Sequence, residues 1–253
     1  MLDKAIVEQL ENLVGKENVL TSKVDLVAYS YDATADMPRQ KPDVVVLPTS
    51  AEMVQEIVRL ARQHKIAIYP RGAGTNLSGG TIPLKKGIAL SFQKMNKILD
   101  VDAANLTAVV QPGVVINALN AAVAPFGLIY PPDPGTVATA TMGGSAAENS
   151  GGLRGLKYGV TKNYIMGMEV VLANGEAVRF GGKTVKNVTA YDFGTLFIGS
   201  EGTLGIITEL TAKLIPAPKH RRTMTGAFPT LADAGNAVAG IIAAQVIPAT
   251  LEI

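Results

Sequence analysis

The chain has 253 residues, with 23 lysines and arginines against 21 aspartates and glutamates, two histidines and a net charge of +2. At about 150 residues per domain this length makes one to two domains, and a 47% hydrophobic content supplies a sizeable core and excludes wholesale disorder. The near balance of charge argues against nucleic acid as the main partner. The absence of cysteine excludes disulfides, and iron–sulfur clusters, c-type haem and zinc fingers held by this chain.

Residues 3–15 set Ile6, Leu10, Leu13 and Val14 at helical spacing and end on Gly15. Charges run through this segment, which lacks the apolar stretch of a signal peptide, and no run of about 20 residues has the character of a membrane span. A soluble, cytoplasmic protein without a transmembrane segment is expected. Residues 23–31 suggest a second short helix and 32–43 a loop. DVVVLPTS is an unbroken β-branched run bounded by proline, the pattern of a buried strand. Thr49 or Ser50 caps the following helix, whose stripe is Met53, Ile57, Val58, Leu60 and Ala61, and IAIYP gives the next strand. Strand–helix–strand over 43–69 predicts a parallel pair with a right-handed crossover.

After Pro70 comes the glycine-rich RGAGTNLSGG, then a strand in GIALSF and two short strands at 98–101 and 106–111. Residues 114–126 read as a helix ending at Gly127, and 130–153 for most of their length follow neither period. Residues 164–173 and 176–180 form a hairpin whose Asn174-Gly175 pair favours a type I′ turn. A helix or turn and a strand follow to 216, then a strand from Thr223, a helix over 231–244 and a final strand in ATLEI. One strand–helix–strand unit of this size cannot bury both faces of a sheet. The chain is therefore expected to end inside a second domain or to be completed by another chain.

Three motif matches fail. GGKT at 181–184 has Ala177 where a phosphate loop needs its first glycine; Gly199-Ser200-Glu201-Gly202 has Ile198 where a nucleophile elbow needs glycine; Gly72 and Gly74 are followed by Leu77 where the dinucleotide fingerprint needs its third glycine. Two segments still call for a ligand. Four glycines within residues 72–80, directly after a strand, let backbone N–H groups turn toward an anion, the alternative being a flexible surface turn. Residues 103–153 carry only Asp133 and Glu148 as charges, too apolar for a solvated loop: they pack on a large flat cofactor or fill the space between two sheets. His64 reads as a solvated helix end, His220 and its basic neighbours 219–222 as an exposed hinge, and Lys157 and Tyr158 as either cofactor border or ordinary packing.

DVVVLPTSAEMVQEIVRLA with YPRGAGTNLSGG, and VVQPGV, YPPDPGTVATATMGGSAAENSGG, LKYGVTKNYIMGMEVVLANGE and LFIGSEGTLGIITE in order, resemble the FAD-binding domain of the p-cresol methylhydroxylase/vanillyl-alcohol oxidase flavoproteins over roughly residues 20–253. The branch most resembled is that of the glycolate oxidase FAD subunit and D-lactate dehydrogenases. The resemblance implies an α+β fold: an FAD-binding domain over 1–220, with subdomains at about 20–97 and 98–220, and the beginning of an incomplete substrate cap over 221–253. It implies that Gly72, Ala73, Gly74, Thr75 and Asn76 cradle the FAD diphosphate through backbone N–H groups. Gly79 and Gly80 would give close approach, and Arg71 would add charge or sit in a surface ion pair. Gln111 and Gly113 would lie near the cofactor. Pro132, Asp133, Thr141, Gly143, Gly144, Ala147, Glu148, Asn149 and Gly152 would wrap the flavin and its ribityl and diphosphate chain, and Gly205, Ile206 and Ile207 would contact the adenine side. Some relatives bond flavin to a histidine of the first loop; Thr75 and Asn76 stand there, so FAD is expected to be held non-covalently.

The implied reaction is oxidation of a small 2-hydroxy acid, D-lactate or glycolate in type, by hydride transfer to flavin. Electrons would pass to a separate acceptor such as an iron–sulfur subunit or an electron-transfer flavoprotein. The family places its histidine-rich metal and substrate motifs later in the cap, so neither a catalytic base nor a metal site is assigned here. The rival class is a non-catalytic FAD-binding or electron-transfer module completed by another chain. A third reading, a reductase of cell-wall precursor synthesis on the same fold, is disfavoured by the long second motif.

Overall fold

A computed structural model describes residues 2–253. The first lobe runs α1 (Lys4–Val14), β1 (Val19–Leu20), α2 (Lys23–Ala28), β2 (Val44–Val46), α3 (Ala51–Gln63), β3 (Ile68–Arg71) and β4 (Ile88–Ser91). Ser50 caps α3 by accepting from Met53 N at 3.3 Å. The buried stripe Val54, Ile57, Val58, Leu60 and Ala61 turns to the sheet. Val44, Val45 and Val46 are all fully buried because both faces of β2 are covered: Val44 and Val46 join the core under α1 and α3, and Val45 joins Leu26 and Tyr29 on the other side. Strand order is β1-β2-β4-β3. The strands flanking α3 are parallel, as the crossover predicts, but they are not neighbours. β4 lies between them and pairs with both, Val45 and Tyr69 each opposite Ala89.

The second lobe runs β5 (Ile98–Asp102), β6 (Thr107–Val110), α4 (Ile116–Val123), β7 (Leu128–Ile129), α5 (Met142–Glu148), α6 (Gly155–Tyr158), β8 (Ile165–Val171), β9 (Ala177–Gly181), α7 (Gly194–Phe197), β10 (Ile206–Lys213) and β11 (Ile215–Pro216). Its main sheet is antiparallel, in the order β5-β6-β10-β8-β9, and β11 pairs with β7. One face packs α4 and α5 over Val110, Met168, Leu210 and Ala212. The mixed architecture is the expected α+β fold.

The lobes interlock. Val171 at the end of β8 and Ile206 at the start of β10 belong to the core of the first lobe. Arg59 of α3 donates from Nη2 to Gly175 O at 2.9 Å, in the β8–β9 turn. That turn is not type I′, since Asn174 is not left-handed. Gly175 alone has positive φ, at +81°, and Leu172 and Glu176 close a three-residue loop, the type I turn with a left-handed glycine. Asn174 serves instead through its side chain, which accepts from Glu176 N at 2.9 Å.

The C-terminal segment also departs from expectation. Thr223 onward is irregular and exposed up to α8 (Leu231–Ala243), and 249–253 form no strand. A β-branched or apolar pattern becomes a strand only where another edge takes its N–H and C=O groups, and neither segment meets one. Among the described residues, no helix is long and apolar enough to cross a membrane.

Candidate functional site: a cleft between the lobes

β3 delivers the chain to the carboxyl end of the parallel sheet, where α/β sheets place their ligands. From Gly72 to Ser78, seven consecutive backbone N–H groups find no protein acceptor among the described residues. Backbone donors are ordinarily paired, so such a run is a cradle for an acceptor that the protein does not itself provide. Gly74 has φ +70°, and a Cβ there would stand 2.3 Å from Arg71 Nη2. Arg71 therefore supports this loop from beneath. It is only 7% exposed, and its Nη1 donates to Tyr31 O at 2.8 Å and to Thr81 Oγ1 at 3.1 Å. Its guanidinium also lies 5.4 Å over the Tyr29 ring. Burial lowers its pKa, partly offset by the negative charge of Asp32. A surface ion pair does not describe this side chain, which is buried, bonded within the protein and set on the cavity wall.

The opposite wall starts at Thr141, whose Oγ1 caps α5 by accepting from Gly144 N at 3.2 Å. Gly143 and Gly72 permit close packing: a Cβ on Gly143 would meet Pro112 Cβ at 2.5 Å, and one on Gly72 would meet Thr141 Oγ1 at 2.3 Å. The turn at 199–202 docks on the end of α5, with Gly199 N donating to Ala146 O at 2.9 Å and Glu201 N to Ala147 O at 3.0 Å. It thereby sets the Glu201 carboxylate opposite that of Glu148. Ser78 Oγ donates to Glu148 Oε1 at 3.2 Å, tying the two walls together. Burial raises the Glu148 pKa, Glu201 raises it further, and the Ser78 hydrogen bond opposes both.

Between the walls lies a cavity of about 450 Å³, within the usual range for a small-molecule site. Of the residues carried over from the resemblance, Arg71 to Asn76, Gly80, Thr141, Gly143, Gly144, Ala147, Glu148 and Gly205 to Ile207 line it. The others stand behind the walls. Gly79 N donates to Thr34 Oγ1 at 2.8 Å. Gln111 Oε1 accepts from Lys97 N at 3.0 Å. Gly113 is packed under Phe92 O. Pro132 is buried, and Asp133 pairs with Arg154 at 2.8 Å. Asn149 takes the left-handed cap of α5, with φ +48°, and accepts from Lys162 N. Gly152 abuts the Asp133 carbonyl.

Sequence reasoning missed Leu77, Thr81, Phe92, Ser145 and Glu201 on the lining. Glu201 sat in view within the failed nucleophile-elbow match; Phe92 had no local signal at all. The cavity fits a nucleotide-bearing cofactor on three counts. It has free N–H groups at one side, and its surface as a whole is mostly apolar. It also has a buried Ser145 hydroxyl with no partner. Among the described residues no group of three or more histidines and carboxylates gathers to hold a metal ion.

A family model described as FAD binding domain matches residues 42–181. The chain is 48% identical over 252 residues to the glycolate oxidase subunit GlcD of Bacillus subtilis (strain 168), covering 100% of this chain and 53% of that protein. It is 42% identical over 228 residues to the D-lactate dehydrogenase of Archaeoglobus fulgidus, covering 89% and 51%. Among solved structures, substrate-bound p-cresol methylhydroxylase superposes with a TM-score of 0.78 at 26% identity, over 94% of this chain and 48% of that one. The chain belongs to the FAD binding domain family, of the p-cresol methylhydroxylase type. It spans about half the length of the curated relatives it matches.

Proposed function

We propose that the cleft holds FAD and that the chain is the cofactor-binding part of an enzyme oxidising a small 2-hydroxy acid of D-lactate or glycolate type. The observation that carries this reading is the run of seven unpaired N–H groups at the edge of a largely apolar cavity. In this reading the Gly72–Asn76 backbone holds the diphosphate. Thr141, Gly143, Gly144, Ala147 and Glu148 lie along the flavin and its ribityl and diphosphate chain, and Gly205 to Ile207 face the adenine. When bound, FAD supplies the acceptor for a hydride from C2 of the hydroxy acid. The chain's own residues bind and orient: apolar walls exclude water, and Ser145 and Glu148 offer partners to hydroxyl groups. Binding is non-covalent in this reading, because Thr75 and Asn76 stand in the first loop where some relatives carry the flavin-bonded histidine.

We assign residues 1–220 to the FAD-binding unit, with subdomains at about 20–97 and 98–220, and 221–253 to the start of a substrate cap. The exposed course of 218–230 supports that boundary. Electrons would leave to a separate iron–sulfur subunit or electron-transfer flavoprotein, in the cytoplasm. The test is the visible spectrum of the purified chain, before and after anaerobic D-lactate or glycolate. Flavin bands that bleach support the whole reading. Stable flavin bands leave the cofactor assignment standing and remove the oxidase activity from this chain. A colourless protein that also refuses added FAD overturns the cofactor assignment.

A further inference from the structure

Asp32 precedes the segment matched by the family model and sits in a stretch that reads as plain loop. It is nonetheless only 8% exposed. Its Oδ1 accepts from Thr34 N at 2.9 Å, and its Oδ2 accepts from Asn76 Nδ2 at 2.8 Å and from Thr81 Oγ1 at 3.2 Å. Thr81 Oγ1 is also the acceptor for Arg71 Nη1, so a buried cation and a buried anion are joined through one hydroxyl. Two residues on, Thr34 Oγ1 takes the N–H of Gly79 at 2.8 Å. The pair Asp32 and Thr34 thus fastens the far half of the glycine loop, from Asn76 to Thr81, on the side away from the cavity.

A carboxylate beneath an anion cradle opposes the charge it is meant to receive, so its presence calls for a reason. An ionised carboxylate only accepts hydrogen bonds. It fixes the Asn76 amide with its nitrogen toward Asp32, and it holds the Thr81 hydroxyl, which Asp32 Oδ2 and Asn76 Oδ1 share as donor while its oxygen accepts from Arg71. Neither side chain can then fold back as an acceptor for the loop's own N–H groups, a competition that asparagine and threonine side chains commonly offer. Burial raises the Asp32 pKa, but the hydrogen bonds from Thr34, Asn76 and Thr81 outweigh it and hold the carboxyl below the ordinary range. The acceptor-only state therefore persists at neutral pH.

We infer that Asp32 is a positioning residue for the cofactor diphosphate: it engages Asn76 and Thr81 from below so that the Gly72–Ser78 backbone N–H groups stay turned to the cavity. This inference rests on the proposal that the loop holds the diphosphate of FAD. Asp32→Asn keeps the size of the side chain but presents a donor where Asn76 and Thr81, or the Thr34 N–H, need an acceptor.

The test titrates the chain with FAD and with riboflavin, which has no phosphate, by flavin fluorescence, alongside thermal melts without ligand. Asp32→Asn is expected to weaken FAD binding about tenfold, which at 1.4 kcal/mol per decade is one hydrogen bond to a charged group. Riboflavin binding should stay within twofold of the parent chain. Thr34→Val, which frees Gly79 N and also takes the Thr34 hydroxyl away from Asp32, is expected to weaken FAD by about threefold. Unchanged FAD affinity in Asp32→Asn overturns the inference, and so does an equal loss for FAD and riboflavin, which would mark a general packing role. If Asp32→Asn does not fold, Thr81→Val removes one bond to the carboxylate together with the acceptor of Arg71 Nη1, and carries the same expectation. A parent chain that binds riboflavin no more weakly than FAD refutes the placement of the diphosphate instead, separately from any variant.

Discussion

Gly113 stands where the two lobes meet, and replacing it with alanine is a severe test of that junction. It follows β6 and donates from N to Met95 O at 2.8 Å. A Cβ at this position would lie 2.0 Å from Phe92 O and 2.7 Å from Met95 O. Ordinary contact begins at 3.4 Å, so the Phe92 carbonyl and residue 113 must separate by 3.4 − 2.0 = 1.4 Å. The contact is backbone against backbone at a buried site, and no side-chain rotation relieves it. Overpacking of this kind costs about 1–3 kcal/mol, and losing the buried bond to Met95 adds about 1–3 kcal/mol. A total of about 2–6 kcal/mol lowers Tm by at least about 4–8 °C in a chain of this size. Phe92 lines the cavity, so FAD affinity should fall as well. Differential scanning fluorimetry with and without FAD reads both effects. Gly235→Ala is the control: it lies inside α8 with nothing within 4 Å of its added Cβ, and is expected to gain about 0.5–1 kcal/mol. A Gly113→Ala chain that melts within 2 °C of the parent would refute the argument.

Glu148→Gln should flatten the pH dependence of FAD binding. Its raised pKa means that the folded chain holds a proton which the unfolded chain has released, so its contribution to stability declines as pH rises through the window above the ordinary carboxylate range. A bound diphosphate deepens the repulsion, so parent affinity should drop across that window while the glutamine variant stays level; parallel profiles in isothermal titration would count against it. Arg71→Lys should destabilise by about 1–3 kcal/mol, because an ammonium cannot reach Tyr31 O and Thr81 Oγ1 with the fork of a guanidinium. Urea unfolding measures this, and a midpoint equal to the parent's would contradict the buried role.

Features that depend on local chemistry were legible in the sequence. The Val44–Val46 run, the Ser50 cap and the glycines after β3 each announce themselves by residue type. Partners distant in the chain were not. Nothing in residues 43–69 says that β4 inserts between β2 and β3, because strand order is a property of the closed sheet. The pair Asn174-Gly175 suits two turn types, and the choice fell to the Glu176 N–H that bonds the Asn174 side chain. Gly113 and Gly152 look like cofactor-contact glycines by family position, yet each is held to glycine by a neighbouring carbonyl, Phe92 O or Asp133 O. Asp32 escaped because its partners, Asn76 and Thr81, are more than 40 residues away.

The interlock of the lobes also sets how a ligand comes and goes. Swinging them apart as rigid bodies would strip Val171 and Ile206 from the first core, at about 1.5–3 kcal/mol for each side chain. A gap of about 3–6 kcal/mol leaves roughly one molecule in a hundred to one in ten thousand open at any instant. The cleft is therefore preset in width rather than moulded around its occupant.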